Sequence, residues 1–258
     1  MKVTTVLLAS AALLGGCGDD EKSNGSESGS SSGQVIVSAA SSLEPAFTVY
    51  AEQAGIDAKQ SFAGSDDLAA QIRGGVTPDV YAAANASLPD ELFADGFVAE
   101  PVVFAGNKLV LAVAAGNPAA IESVEDLARD GLTLAIGDGG VPVGDYAREV
   151  LARLPGDQPD AILANVRSNE PDVAGIVGKL TQGAVDAGFI YVTDVVATNG
   201  ELEAIELPAG LQPDVAYTVA VVDGAENPAG ARAFIDGLLD GAGAEALTEA
   251  GFLPPPQE

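Results

Sequence analysis

The alternation of apolar and polar positions divides the chain into an apolar leader, a polar stretch and a long periodic region. Lys2 precedes an apolar run from Val3 to Leu14, which the small residues Gly15 and Gly16 close. A charged start and a run of this length have the layout of a secretory signal peptide over residues 1–16, too short to span a bilayer. Residues 18–33 (GDDEKSNGSESGSSSG) carry no apolar side chain and read as a flexible polar tether. From Gln34 onward, short apolar runs alternate with amphipathic stretches, the signature of an α/β fold.

Within that region the pattern predicts a strand at Val35–Val37, a helix from Glu44 to Ala54 and a strand from Lys59 to Ala63. A helix from Asp66 to Arg73, closed by Gly74 and Gly75, a strand at Asp79–Ala83 and a helix at Ser87–Ala94 follow. Strands separated by helices imply parallel pairing with right-handed crossovers. Lys108 to Ala114 (KLVLAVA) is a long apolar strand, and the pattern restarts after Gly116-Asn117-Pro118. It runs through strands at 133–136, 165–167 and 187–191, with helices at 144–154 and 173–182 between them. Tyr217 to Val222 (YTVAVV) is a second long strand, and helices at 229–239 and 242–250 end the chain. We read two lobes, each a mainly parallel sheet flanked by helices and joined by a two-segment hinge. Residues 34–110 and 222–254 form the first lobe and residues 111–221 the second, with the two long strands expected as the crossings between them.

Composition narrows the chemistry. With 47% hydrophobic residues there is material for real cores. The sole cysteine, Cys17, leaves no partner for a disulfide and no thiolate metal site. The absence of His excludes His-based triads and imidazole metal sites, and the absence of Trp weighs against a sugar-stacking groove. A net charge of −27 argues against nucleic acid and anionic lipid as partners. Acidic residues spread over a solvated surface account for that charge. A hydrolase built on Asp138, Asp145 and Asp172 has neither a His nor a Gly-x-Ser-x-Gly elbow to support it, so no enzyme is expected.

Cys17 directly follows Leu14-Gly15-Gly16, and this resembles the lipobox of bacterial lipoproteins. The resemblance implies a lipidated thiol at the start of a tether spanning residues 17–33. The folded part is then extracytoplasmic, held by acyl chains at the outer face of the cytoplasmic membrane or as a periplasmic lipoprotein.

Several helix starts are suited to presenting free backbone N–H groups. They are Ala40-Ser41-Ser42-Leu43, Ala63-Gly64-Ser65-Asp66-Asp67, Val141-Pro142-Val143-Gly144 and Asn169-Glu170-Pro171-Asp172-Val173. A helix start leaves up to four unpaired donors and a positive dipole end. In α/β sheets these starts lie at the carboxyl ends of strands, where ligands bind. Taken singly, each is accounted for by capping: Ser42 and Ser65 as N-caps, Pro142 and Pro171 where helices tolerate proline, Asp66, Asp67 and Asp172 complementing the dipole. Their occurrence at equivalent places in both lobes points further, to an anion held between facing helix starts.

The ordered set V-S-A-A-S-S-L (37–43), S-F-A-G-S-D-D-L-A-A-Q-I (61–72), A-I-G-D-G-G-V-P-V-G-D-Y-A (135–147), G-F-I-Y-V-T-D-V-V-A (188–197) and Y-T-V-A-V-V-D-G (217–224) resembles the molybdate-binding proteins of ABC importers, the ModA-type family. The resemblance covers Gln34 to about Phe252 and implies a two-lobed periplasmic-binding-protein fold, monomeric and without a cofactor. The implied ligand is molybdate or tungstate, a tetrahedral oxyanion delivered to an ABC permease and its ATPase, with the membrane reached only through the lipid anchor. Carried over by position, Ser42 and Ser65 donate hydroxyl and backbone N–H, Val143 and Val173 donate backbone N–H, and Tyr191 donates its phenol. No protein atom ligates the metal directly. Ser65-Asp66-Asp67 stands where many members carry a run of Ser or Thr, and Val143 where a small alanine is common. A carboxylate at Asp66 facing the ligand would favour a protonated oxyanion such as phosphate. Sulfate, or a small organic acid met by Arg73, Arg148 or Arg167, is a further alternative.

Overall fold

The computed structural model describes residues 33–256, so the signal peptide, Cys17 and the tether through residue 32 lie outside the described residues. The chain opens with β1 (Val35–Ala40), a 3-10 turn at Ser41–Leu43, α1 (Glu44–Ala54), β2 (Ala58–Ala63), α2 (Ser65–Arg73), β3 (Val80–Ala83), α3 (Ser87–Ala94) and β4 (Val102–Asn107). It continues through β5 (Leu109–Ala114), β6 (Leu134–Gly137), α4 (Pro142–Ala152), α5 (Gln158–Ala164), β7 (Val166–Glu170), α6 (Val173–Thr181), β8 (Ala187–Tyr191), α7 (Val192–Ala197) and β9 (Leu202–Glu206). It ends with β10 (Val215–Val221), α8 (Pro228–Leu239) and α9 (Ala242–Glu249). Two five-stranded sheets result, ordered β2-β1-β3-β10-β4 and β7-β6-β8-β5-β9.

Local sequence explains most of these elements. β1 is buried at nearly every position, as a strand covered by helices on both faces must be. α2 buries Leu68, Ala69 and Ile72, carries Asp66 and Asp67 in its first turn and Arg73 in its last, so that its charges complement its dipole. α1 stops at Gly55, which takes the left-handed conformation (φ 64°) that glycine adopts without steric cost. Its face packs through Phe47, whose ring meets Phe234 at 5.4 Å, and through Tyr50, whose hydroxyl donates to the Phe234 carbonyl.

The sheets are more mixed than the sequence pattern suggests. β1 pairs in parallel with β2 and β3, and β6 with β7 and β8. In contrast, β10 runs antiparallel to β3 and β4, and β5 antiparallel to β8 and β9. The two long apolar strands are therefore not crossings. β5 lies wholly in the second sheet, so Leu109 and Val110 depart from the expected first lobe, and β10 lies wholly in the first sheet although residues 111–221 were assigned to the second. The physical reason is that each runs between two neighbours, and a strand enclosed on both sides is apolar along its length. The chain crosses instead at Lys108, the one residue between β4 and β5, and again in the segment 207–214. The expectation also omits β4, α5, α7 and β9.

One buried carboxylate ties the first sheet to the C-terminal helices. Asp79 accepts from the Ile36 backbone N–H through one oxygen and from the Asn227 backbone N–H through the other, both at 2.7 Å. It is 1% exposed, so its removal strands two donors away from water. Asp79→Ala is expected to cost about 3–5 kcal/mol of stability, read as a lower urea midpoint; an unchanged midpoint would refute the clamp.

Candidate functional site

Six strands, three parallel ones in each sheet, end on one side of their sheets, and the turns that leave them face each other across a single cavity. From the first sheet come Ala40, Ser41 and Ser42 after β1, Ala63, Gly64 and Ser65 after β2, and Ala84 after β3. From the second come Val141, Pro142 and Val143 after β6, Asp172 and Val173 after β7, and Tyr191 at the end of β8. All of Ser42, Ser65, Val143, Val173 and Tyr191 are thus brought together. The cavity is small, about 210 Å³ free of protein atoms even counting the part open to solvent, a size suited to a small ion.

Each helix start leaves particular donors free. In α4 the first position is Pro142, which has no N–H, so the unpaired amides begin at Val143 and Gly144. In α6 the Asp172 side chain accepts from the Gly175 N–H at 2.8 Å, which caps the third position and leaves Val173 unpaired at the first. Among the described residues Asp172 is the one charged side chain lining the cavity, and this cap occupies one of its oxygens. Its role is the capping expected from sequence.

The two serines are not N-caps. Ala40 and Gly64 occupy the cap positions, and the serines sit within the first turns. Ser65 Oγ accepts from the Ala84 N–H at 3.1 Å, so its own proton is left to donate. Its carbonyl accepts from the Tyr81 hydroxyl at 2.7 Å, which fixes the turn from beneath. Ser42 Oγ lies 2.9 Å from Tyr217 Oη, a partner that sequence reasoning missed.

Tyr191 Oη is buried and has no hydrogen-bond partner among the described residues. Burial, with the neighbouring Tyr217, Tyr146, Asp194 and Asp145 adding to it, pushes its phenol well above the ordinary range, so it stays a donor. An unpaired buried hydroxyl is costly unless something in the cavity accepts from it.

The halves approach at backbone distance. A Cβ on Gly64 would collide with the Pro171 carbonyl from across the cavity, so only glycine fits there. Asp66 does not line the cavity. Its buried Oδ1 would lie 2.9 Å from that same Cβ and is without a partner. Burial raises its pKa, opposed by the N–H groups of its own helix start and reinforced by Asp67 and Asp145. The three arginines are engaged elsewhere. Arg73 pairs with Glu91 and Asp95, Arg148 donates to the carbonyls of Gly137 and Gly144, and Arg167 to those of Ala164 and Val166.

The chain matches the description "bacterial extracellular solute-binding protein" over residues 35–253. It is 34% identical over 227 residues to the molybdate-binding protein ModA of Mycobacterium tuberculosis H37Rv, covering 86% of this chain and 85% of that one. Its fold resembles the periplasmic molybdate-binding protein of Azotobacter vinelandii, with TM-score 0.76, 21% identity and coverage of 86% and 100%. It equally resembles the sulfate-binding protein SubI of M. tuberculosis, with TM-score 0.76, 18% identity and 86% of each chain covered.

Asp194 sits behind the cavity, its carboxylate accepting from the Tyr191 N–H at 2.9 Å. Burial raises its pKa from 3.8 to about 7, the Tyr191 N–H opposing and Asp172 adding. A carboxyl whose folded value is raised favours the folded state fully below its unfolded value and loses that advantage as pH rises through the folded one. Between about pH 4 and 7 this group therefore lowers stability as pH climbs. Asp194→Asn is expected to flatten that decline relative to the parent, by up to a few kcal/mol in denaturant midpoints compared at pH 5 and pH 8. Parallel curves for the two proteins would overturn the assignment.

Proposed function

The chain belongs to the bacterial extracellular solute-binding protein family as a ModA-type member, and from that premise we propose that it captures molybdate or tungstate between its two sheets. It acts as an extracytoplasmic binding protein, not an enzyme, handing its oxyanion to an ABC permease with its ATPase. Cys17 carries the lipid anchor, and the binding unit is a monomer. The observation that carries the proposal is the convergence of donor-bearing residues from both halves on one small cavity, with Tyr191 lining it and its buried hydroxyl unpaired among the described residues.

The magnitudes are adequate. A hydrogen bond to a charged group contributes about 1.5–3 kcal/mol. Four or five such bonds from Ser42, Ser65, Val143, Val173 and Tyr191, less the cost of bringing the halves together, reach the ~8–12 kcal/mol of a micromolar to nanomolar complex. The ligand favours the closed arrangement because it bonds to both halves.

A second reading, another tetrahedral oxyanion such as sulfate or phosphate, draws on the equal fold likeness to a sulfate-binding protein. Phosphate is the weaker case, since Asp66 does not line the cavity to accept its proton. A small organic acid is weaker still, because Arg73, Arg148 and Arg167 are committed to other partners.

Calorimetric titration with molybdate, tungstate, sulfate and phosphate decides among these. Heat with both metal oxyanions is expected, and silence with both would sink the proposal. Tyr191→Phe removes one donor and nothing else, so affinity should fall about 10- to 100-fold. Ser65→Ala should cost at least as much, because it also strands the Ala84 N–H. An unchanged affinity in both would favour a different anion or site.

The net charge of −27 repels an arriving dianion over a screening length of about 8–10 Å. Association in stopped flow is therefore expected to accelerate as salt rises from low values. A flat or falling rate would show that the acidic surface does not reach the cavity.

A further inference from the structure

Behind Ser42 runs a chain of hydrogen bonds with a defined direction. Asn107, the last residue of β4, is buried, and its Oδ1 accepts from the Lys108 N–H at 2.8 Å, which fixes the orientation of the amide. Its Nδ2 then faces inward, donating to Thr193 Oγ1 at 2.9 Å and to Tyr217 Oη at 3.4 Å. Tyr217 is wholly buried, with its ring edge-on to Phe252 at 5.1 Å and Tyr191 at 5.8 Å, so its hydroxyl is held in place. Since Tyr217 Oη receives from Asn107, its own proton is available to Ser42 Oγ, 2.9 Å away. Ser42 Oγ then accepts one hydrogen bond, and its own proton is left for the cavity it lines.

We propose that Asn107 and Tyr217 are positioning residues that set the polarity of Ser42, holding its hydroxyl as a donor toward the bound oxyanion. This rests on the oxyanion-binding reading above. Were the chain reversed, with Ser42 donating to Tyr217, Ser42 would present lone pairs to a dianion and repel it. A chain of aligned hydroxyls also polarises its last member, strengthening that final bond. Burial keeps the Tyr217 phenol well above its ordinary range, with Ser42 and Asn107 opposing the shift, so the proton the chain needs is present.

The experiment is a pair of double-mutant cycles read by calorimetry, with melting temperatures confirming that every variant is folded. Tyr217→Phe keeps the ring and removes the link; molybdate should bind about 3- to 10-fold more weakly. Asn107→Asp replaces the donor by an acceptor of the same shape, reverses the chain and should cost more than tenfold. In a Ser42→Ala background the Tyr217→Phe loss should shrink to within about twofold, and the Asn107→Asp loss should shrink likewise, because the hydroxyl they orient is gone. Equal losses in both backgrounds would overturn the proposal, since packing alone is blind to Ser42. If molybdate and tungstate give no heat but sulfate or phosphate does, the ligand assignment fails and the same cycles on that anion judge the relay. Silence with all four overturns both.

Discussion

On the proposed function a doubly charged anion is taken out of water, which is costly, and the fold offsets that cost with dipoles already aimed at the site. Everything else in the architecture follows from where unpaired N–H and O–H groups can be placed. Parallel strands deliver helix starts to one side of a sheet, and helix starts are where backbone donors go unused. α4 and α6 solve the same local problem differently. A proline at the first position leaves the amides of Val143 and Gly144, while a capping Asp172 satisfies the third amide of α6 and leaves the first. The serines of the first half add hydroxyls whose acceptor sides are already occupied, Ser65 by the Ala84 N–H and Ser42 by Tyr217.

Cations are scarce, 11 against 38 acidic residues, and the fold uses several of them on carbonyl oxygens. Arg148 closes the turn between β6 and α4 by donating to Gly137 and Gly144, and Arg129 donates to Ala119 and Ala120. A site without a cation recognises its guest by the number and direction of donors. Charge alone would also attract phosphate esters and carboxylates. Fixed donors with few acceptors favour an anion that arrives fully deprotonated and needs no proton accepted from it. The close backbone approach at Gly64 and Pro171 leaves little room for a larger guest.

How much of this was legible in the sequence depended on the range of the interaction. Ser42, Ser65, Val143, Val173 and Tyr191 sit at strand ends or helix starts, which short patterns reveal, and the order of the motifs carried the rest. Tyr217 reads as part of an apolar strand and of one motif, with no sign of its hydrogen-bond partner, because Ser42 is 175 residues away. Asn107 lay in a strand the pattern missed. β4 is an edge strand with Val102 and Val103 exposed, so it lacks the continuous burial of a central strand. α7 begins directly at the end of β8 with no intervening turn, and β9 alternates like a surface segment. Apolar length misplaced β5 and β10, since it reports enclosure between neighbours and says nothing about which sheet supplies them.

The crossing at Lys108 joins these threads. Its N–H is held by the Asn107 side chain, and its carbonyl accepts from the Val192 N–H at 2.9 Å. Val192 lies between Tyr191, which lines the cavity, and Thr193, which accepts from Asn107. Asn107 reaches Tyr217 and through it Ser42. Ser42 of the first half and the Lys108 peptide that joins the halves therefore belong to one hydrogen-bonded cluster, and Tyr191 adjoins it through Val192. On the proposed reading, in which the halves close around the ion, a turn at Lys108 would reach Ser42 and Tyr191, because bonds next to each of them are anchored at that residue. Under the proposed function, the contacts that aim the donors would make their aim depend on closure, and would link capture of the ion to the shape a membrane partner meets.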